Sequence, residues 1–206
     1  MTLYEAAEAL RTRMWRTAGA RFNCQRRMKY RNTTSSFTIA ILSGYLIAIS
    51  VAQKIYNIGE CYPEFDNHLT FIAIVGAVFI IVISLVEWAS EFSIRAERLF
   101  ENATEIKKLQ AKIERALVDG TPESELKSKF EEASLAYESL VDKNSPNQDP
   151  IDDFLFRSQN RKDPHPSFSM NGLEAVWARV LWVIFTYGLY GILLSIPIAT
   201  LYIVAP

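Results

Sequence analysis

Hydrophobic positions along this chain follow two rhythms, and the change from one to the other divides it. Uncharged, mostly apolar runs occupy residues 32–53, 69–86 and 180–206. Each is long enough to cross a hydrocarbon layer of about 30 Å as a helix, so three membrane spans are predicted. Past Glu87 the apolar positions become periodic: Phe92, Ala96, Leu99, Ala103, Ile106, then Leu109 or Gln110, Ile113 and Leu117 step by three and four. That is the stripe of a coiled coil. No Pro falls between Leu69 and Leu117, and Gly76 is the only Gly there. The pattern therefore predicts one continuous helix, about 73 Å long at 1.5 Å per residue, leaving the membrane without a break.

The same rhythm returns after a short interruption. Asp119-Gly120-Thr121-Pro122-Glu123 reads as a helix end followed by a new start, with Gly120 closing the first helix, Thr121 capping the next and Pro122 in its first position. Leu126, Phe130, Ala133, Tyr137 and Leu140 then recur at heptad spacing, which predicts an antiparallel coiled-coil hairpin. Before the first span, Leu3, Leu10, Met14, Ala18 and Phe22 recur at roughly helical spacing and predict an amphipathic helix. Residues 144–166 are rich in Pro, Asp and Asn, with Pro146, Pro150, Pro164 and Pro166; Asp149-Pro150 opens a short helix bearing Phe154, Leu155 and Phe156, expected to dock on the hairpin. The fold class is thus an all-α membrane protein: a transmembrane helical hairpin (32–89) continuing into a cytoplasmic antiparallel coiled-coil hairpin (90–143). A basic amphipathic helix (1–31) precedes these, and a linker (144–175) and a third transmembrane helix (176–206) follow.

Net charge, −1, says little, but its distribution orients the chain. Arg11, Arg13, Arg16, Arg21, Arg26, Arg27, Lys29 and Arg31 precede the first span against only Glu5 and Glu8, whereas the loop 54–68 carries Lys54 with Glu60, Glu64 and Asp66. The excess of Lys and Arg predicts a cytoplasmic N-terminus, an external loop and an external C-terminus, in the cell membrane. With no apolar run in the charged N-terminal segment, the first span is expected to act as an uncleaved anchor. Cys24 and Cys61 then fall on opposite sides and cannot pair within one chain; Cys61 is either a free thiol or a link between subunits.

Two sets of residues are candidates for function. Arg21, Arg26, Arg27, Lys29 and Arg31 suit anionic lipid headgroups, or the phosphates of a nucleic acid or nucleotide. Ser36, Ala40, Ser43 and Ser50 share one face of the first span, with Gly44 beside them; Ala73, Ala77, Ile80, Ser84, Glu87 and Glu91 share a stripe on the second. Small faces let membrane helices pack closely, and they also line water paths. Ser36, Ser43, Ser50, Ala77, Ser84, Glu87 and Glu91 are therefore the pore-lining candidates, with Glu87 and Glu91 as carboxylate rings at a mouth or simply as a solvated helix exit. No phosphate-binding Gly loop, nucleophile elbow or zinc motif occurs, and His68 and His165 stand apart from each other and from any cysteine pair. Neither an enzyme, a metal nor a cofactor is expected.

Three stretches go beyond generic membrane helix. Trp15 with Arg21-Phe22-Asn23-Cys24-Gln25-Arg26-Arg27-Met28, then Leu42-Ser43-Gly44-Tyr45-Leu46-Ile47-Ala48-Ile49-Ser50, then Glu87-Trp88-Ala89-Ser90 with Arg95-Ala96-Glu97-Arg98-Leu99 and Asn102-Ala103, resemble the SLATT family. The likeness covers roughly residues 10–118 and looks closest to the subfamily found next to reverse transcriptases. SLATT proteins are two-transmembrane effectors encoded beside nucleotide-signalling and other bacterial defence genes. The resemblance implies an oligomeric pore-forming or membrane-disrupting effector, triggered by a cytoplasmic partner such as a reverse transcriptase or another sensor encoded nearby. A membrane-anchored scaffold recruiting a cytoplasmic partner is the alternative. The third span departs from the two-span core of the family.

Overall fold

Helix follows helix in a computed structural model that describes residues 2–142 and 147–204. Asn144 and Pro146 of the linker, and Ala205 and Pro206 at the end of the third span, lie outside the described residues. The elements are α1 (Leu3–Ile55), α2 (Ile58–Cys61), α3 (Pro63–Ala89), α4 (Phe92–Val118), α5 (Glu123–Asp142), α6 (Pro150–Gln159), a 3-10 turn (Pro166–Phe168) and α7 (Gly172–Val204). No strand occurs among the described residues, and three helices are long and apolar enough to cross a membrane. The chain is an all-α membrane protein. It divides into two compact units, one of Met1–Lys29 with Ser93–Val183 and one of Tyr30–Phe92 with Ile184–Pro206.

The first unit is built on the heptad pattern. Ile106 and Ile113 of α4 are buried with Leu126, Ala133, Tyr137 and Leu140 of α5, while Phe130 packs at the edge of the same core. The amphipathic start of α1 is the third member: Ala7, Leu10, Met14 and Ala18 enter that core, and the Thr17 and Tyr137 hydroxyls lie 2.8 Å apart. The expected two-helix hairpin is therefore one side of a three-helix bundle. A pair of stripes leaves each helix half wet, and a third apolar face completes the burial. Gly120 sits at φ +61 in the left-handed conformation that ends a helix, as its position suggested. α5 starts at Glu123, after Pro122 rather than at it, with the Pro122 carbonyl accepting from the amides of Glu125 and Leu126.

α6 begins where Asp149-Pro150 predicts and docks on α1, with Phe156 and Gln159 lining one groove together with Lys107 and Gln110 of α4. The Phe156 ring lies against Gly19 so closely that no β-carbon fits there, and it packs edge-on against Trp15 at 5.3 Å and Phe168 at 5.9 Å. Trp15 in turn meets Phe168 at 4.9 Å. This aromatic cluster joins α6 and the 3-10 turn to the bundle.

In the membrane unit the turn between the first two spans is shorter than the sequence suggests. α3 starts at Pro63, so much of the expected loop is helix. The Gln53 amide closes the hairpin by donating to the Asp66 carboxylate at 2.8 Å and to its carbonyl at 3.2 Å. Asn57 takes φ 48, a left-handed turn that asparagine tolerates better than most side chains.

The largest departure is at Glu91. The helix expected to run unbroken from Leu69 to Leu117 ends at Ala89 and restarts at Phe92, with Glu91 at φ 47. Neither Gly nor Pro marks the place. The break sets the Phe92 ring beneath the Arg31 guanidinium, 4.4 Å from its centroid, in a cation–π contact that buries Phe92. A left-handed glutamate costs roughly 1–2 kcal/mol. Glu91→Gly should therefore raise the melting temperature in detergent and Glu91→Val lower it, whereas in an unbroken helix the glycine would be the worse of the two. In the bundle, Ile106→Asp should cost several kcal/mol by burying an unpaired charge, against about 1 kcal/mol for Ile106→Val, read by thermal unfolding of the full chain.

Candidate functional site

Arginines that read as a basic surface turn out to hold the first unit together from inside. Arg27 is 3% exposed and Asp152 is fully buried. The guanidinium donates to both Asp152 oxygens, Nε to Oδ1 at 3.0 Å and Nη2 to Oδ2 at 2.9 Å, and also to Asp149. The Trp182 indole donates to the same Oδ1 at 3.1 Å, and the Asn23 amide donates to the Asp152 carbonyl at 3.1 Å. One carboxylate thus ties α6 to α1 and to the start of α7. Burial by itself would depress the Arg27 pKa; the bonds and charge of Asp152, with Asp149, outweigh it and hold the group above its ordinary value. Removing one partner of such a pair strands the other and costs about 3–5 kcal/mol.

Arg21 is 1% exposed and has a different role. It donates to the Asn102 side chain, to the Leu140 carbonyl at 3.4 Å and to Gln148 at 3.3 Å, and the Asn102 amide reaches the same Leu140 carbonyl at 2.9 Å. Leu140 lies in the last turn of α5, where carbonyls lack partners within the helix, so Arg21 and Asn102 serve as an external cap. Burial, opposed only in part by Tyr137, pushes this guanidinium below its usual pKa. Arg16 pairs with Asp153 through two bonds of 2.7 and 2.6 Å, which raise its pKa. Of the five basic candidates, Arg26 and Lys29 are left on the surface, Arg26 donating to Asn23, while Arg21 and Arg27 face inward.

Cys24 lies in the same buried layer. Burial and the nearby Asp152 charge push its thiol up to about 12, with Arg27 opposing. The thiolate that would react is therefore suppressed near neutral pH.

Within the membrane unit the pore-lining candidates divide by what their side chains do. Ser36 and Ser50 are exposed and donate to their own helix, to the Asn32 carbonyl at 3.0 Å and the Leu46 carbonyl at 3.1 Å; Ser84, half-buried, does the same to Ile80 at 2.7 Å. Such hydroxyls are already satisfied and suit lipid as well as water. Ser43 is half-buried and Ala77 exposed. Glu87 and Glu91 do not form the expected stripe, because α3 has ended before Glu91 and the two carboxylates are not successive turns of one helix. Glu87 accepts a 2.6 Å hydrogen bond from the Tyr190 hydroxyl of α7. Arg31 lies against that hydroxyl too.

The buried polar residues of this unit are ones that sequence reasoning passed over: Ser35, Thr38, Thr186 and Tyr190, each at most 2% exposed. Their register was readable, since Arg31, Ser35, Thr38, Leu42 and Tyr45 step by four, three, four and three. The neighbouring stripe of small residues drew the reading instead.

A family model for SMODS and SLOG-associating 2TM effector domain family 5 matches residues 3–203 of the chain. No curated protein and no solved structure matches it.

Burial makes the two thiols unequal. In the native chain at pH 8 one thiol, Cys61, which is exposed, should react with a water-soluble disulfide reagent, and Cys24 should follow only in denaturant. The Cys24 pKa is raised in the folded state from an ordinary 9.0 to about 12. The fold therefore excludes the thiolate, and this contribution is complete below pH 9 and declines as pH rises toward 12. Cys24→Ala should flatten that part of the stability profile.

Proposed function

The chain belongs to this family of two-transmembrane effectors, and we propose that it is an oligomeric pore-forming or membrane-disrupting effector of a bacterial anti-phage system, one that kills or arrests an infected cell. The carrying observation is a family match over nearly the whole chain, together with three helices of membrane-crossing length. Two or three spans are too few to enclose a wide water path, so several copies assemble around an axis. The excess of Lys and Arg before the first span favours the cell membrane with the N-terminus in the cytoplasm. Arg26 and Lys29, exposed beside the first span, suit anionic lipid headgroups.

On this reading no catalysis takes place in the chain. The trigger is a cytoplasmic partner or signal, such as a reverse transcriptase or another sensor encoded nearby, which acts on the unit held by Arg27 and Asp152. A potential-sensitive dye in bacteria expressing the chain tests the idea, with and without its genetic neighbours and phage. Depolarisation should appear only on triggering. No depolarisation under any condition would favour a membrane-anchored scaffold, and depolarisation without any trigger would favour a constitutive channel.

A further inference from the structure

Buried hydroxyls in a span have a ready partner, the carbonyl four residues back in their own helix. Ser36, Ser50 and Ser84 use it, although the first two are exposed. Ser35 and Thr38, at 2% and 1% exposure, do not: among the described residues their hydroxyls have no hydrogen-bond partner, nor does the buried Nε of Arg31. These three groups lie on one face of α1 over two turns. At the Arg31 end of this face α1 meets α7: the Tyr30 and Tyr187 rings lie 6.2 Å apart and Arg31 approaches the Tyr190 hydroxyl that bonds Glu87. Leaving three polar groups unpaired in a low-dielectric seam would cost several kcal/mol in all. Water, which both donates and accepts, satisfies them; a free anion suits the place less, because the Glu87 carboxylate already lies on the Tyr190 hydroxyl that Arg31 approaches.

Further along the same face of α1 the chemistry reverses. Leu42 and Tyr45 line an apolar cleft of about 320 Å³ with Gly76 and Ile80 of α3 and Leu193 and Ile196 of α7, and the exposed Phe71 and Phe79 of α3 stand at its open side. Apolar walls of that kind stay dry. We propose that this face of α1 holds bound water at Arg31, Ser35 and Thr38, and that the Leu42 cleft beyond them is a closed hydrophobic gate. The permeation path then begins inside the span bundle, on a face next to the Ser36, Ser43 and Ser50 stripe. The gate rests on the pore reading; the hydrated site does not.

The two parts are tested separately on the full chain. In a Cys61→Ser background, Thr38→Cys and Phe37→Cys are compared for reaction with methyl methanethiosulfonate. This reagent is small and uncharged, and only the thiolate attacks its sulfur, releasing methanesulfinate; the thiolate needs water to form. Thr38→Cys should react at least about tenfold faster than the exposed Phe37→Cys; equal rates would overturn the water site. Thr38→Val gives an independent reading. It should lower the melting temperature if water bonds the hydroxyl, and a raised value, the result of deleting an unpaired group, would overturn the site. For the gate, Leu42→Ser in lipid vesicles should leak ions without a trigger, while Ile47→Ser on the exposed face should not. If the wild type conducts when triggered and Leu42→Ser stays tight, the gate is wrong. If thiol reactivity holds and neither protein ever conducts, the water site stands and the pore reading falls.

Discussion

A guanidinium can be buried only if its charge is answered where it lies, and in this protein that requirement is met by Asp152. Arg27 comes from α1 and Asp152 from the short α6, yet each would be prohibitively costly inside without the other. The pair is directional as well as strong. Two parallel donors on one carboxylate fix orientation as well as distance; Trp182 adds a third bond to that carboxylate, and the Asn23 amide holds the backbone carbonyl of the same aspartate. The packing of Phe156 over Gly19 and the placement of the 3-10 turn follow from α6 being held in that one attitude.

The bundle beneath that pair carries its information differently. Heptad stripes state which residues are inside, and here they do so with little error: Ala96, Leu99, Ala103, Ile106 and Ile113 are all buried. Periodicity is local, so it survives being read one helix at a time. What it does not state is how many stripes meet. The start of α1 was legible as amphipathic, but only the fold pairs it with α4 and α5, because an apolar face carries no address.

Charge is the harder text. Arg21 and Arg27 sit in a run of basic residues and look like neighbours on a surface, yet their answering groups, Asn102, Leu140 and Asp152, are all far along the chain. A basic residue reads the same whether it meets a phosphate or a buried aspartate. The break at Glu91 was invisible for a related reason. It has no breaker residue, and what repays the left-handed backbone is Phe92 reaching Arg31, a contact between distant segments. In the spans Ser36 and Ser50 of the visible serine stripe bond their own helix, and the unsatisfied hydroxyls of Ser35 and Thr38 lie on the face beside it.

Gly19 shows what such a fold demands over evolutionary time. Glycine in a helix interior forfeits about 1 kcal/mol relative to alanine, and α1 bears that loss in the middle of a long helix. The space a methyl would take is already filled by the Phe156 ring. Position 19 can therefore acquire a side chain only in a lineage where position 156 has first become smaller, and a large residue can return to 156 only after 19 has reverted. The two sites, in helices far apart along the chain, are bound to change together and in a fixed order.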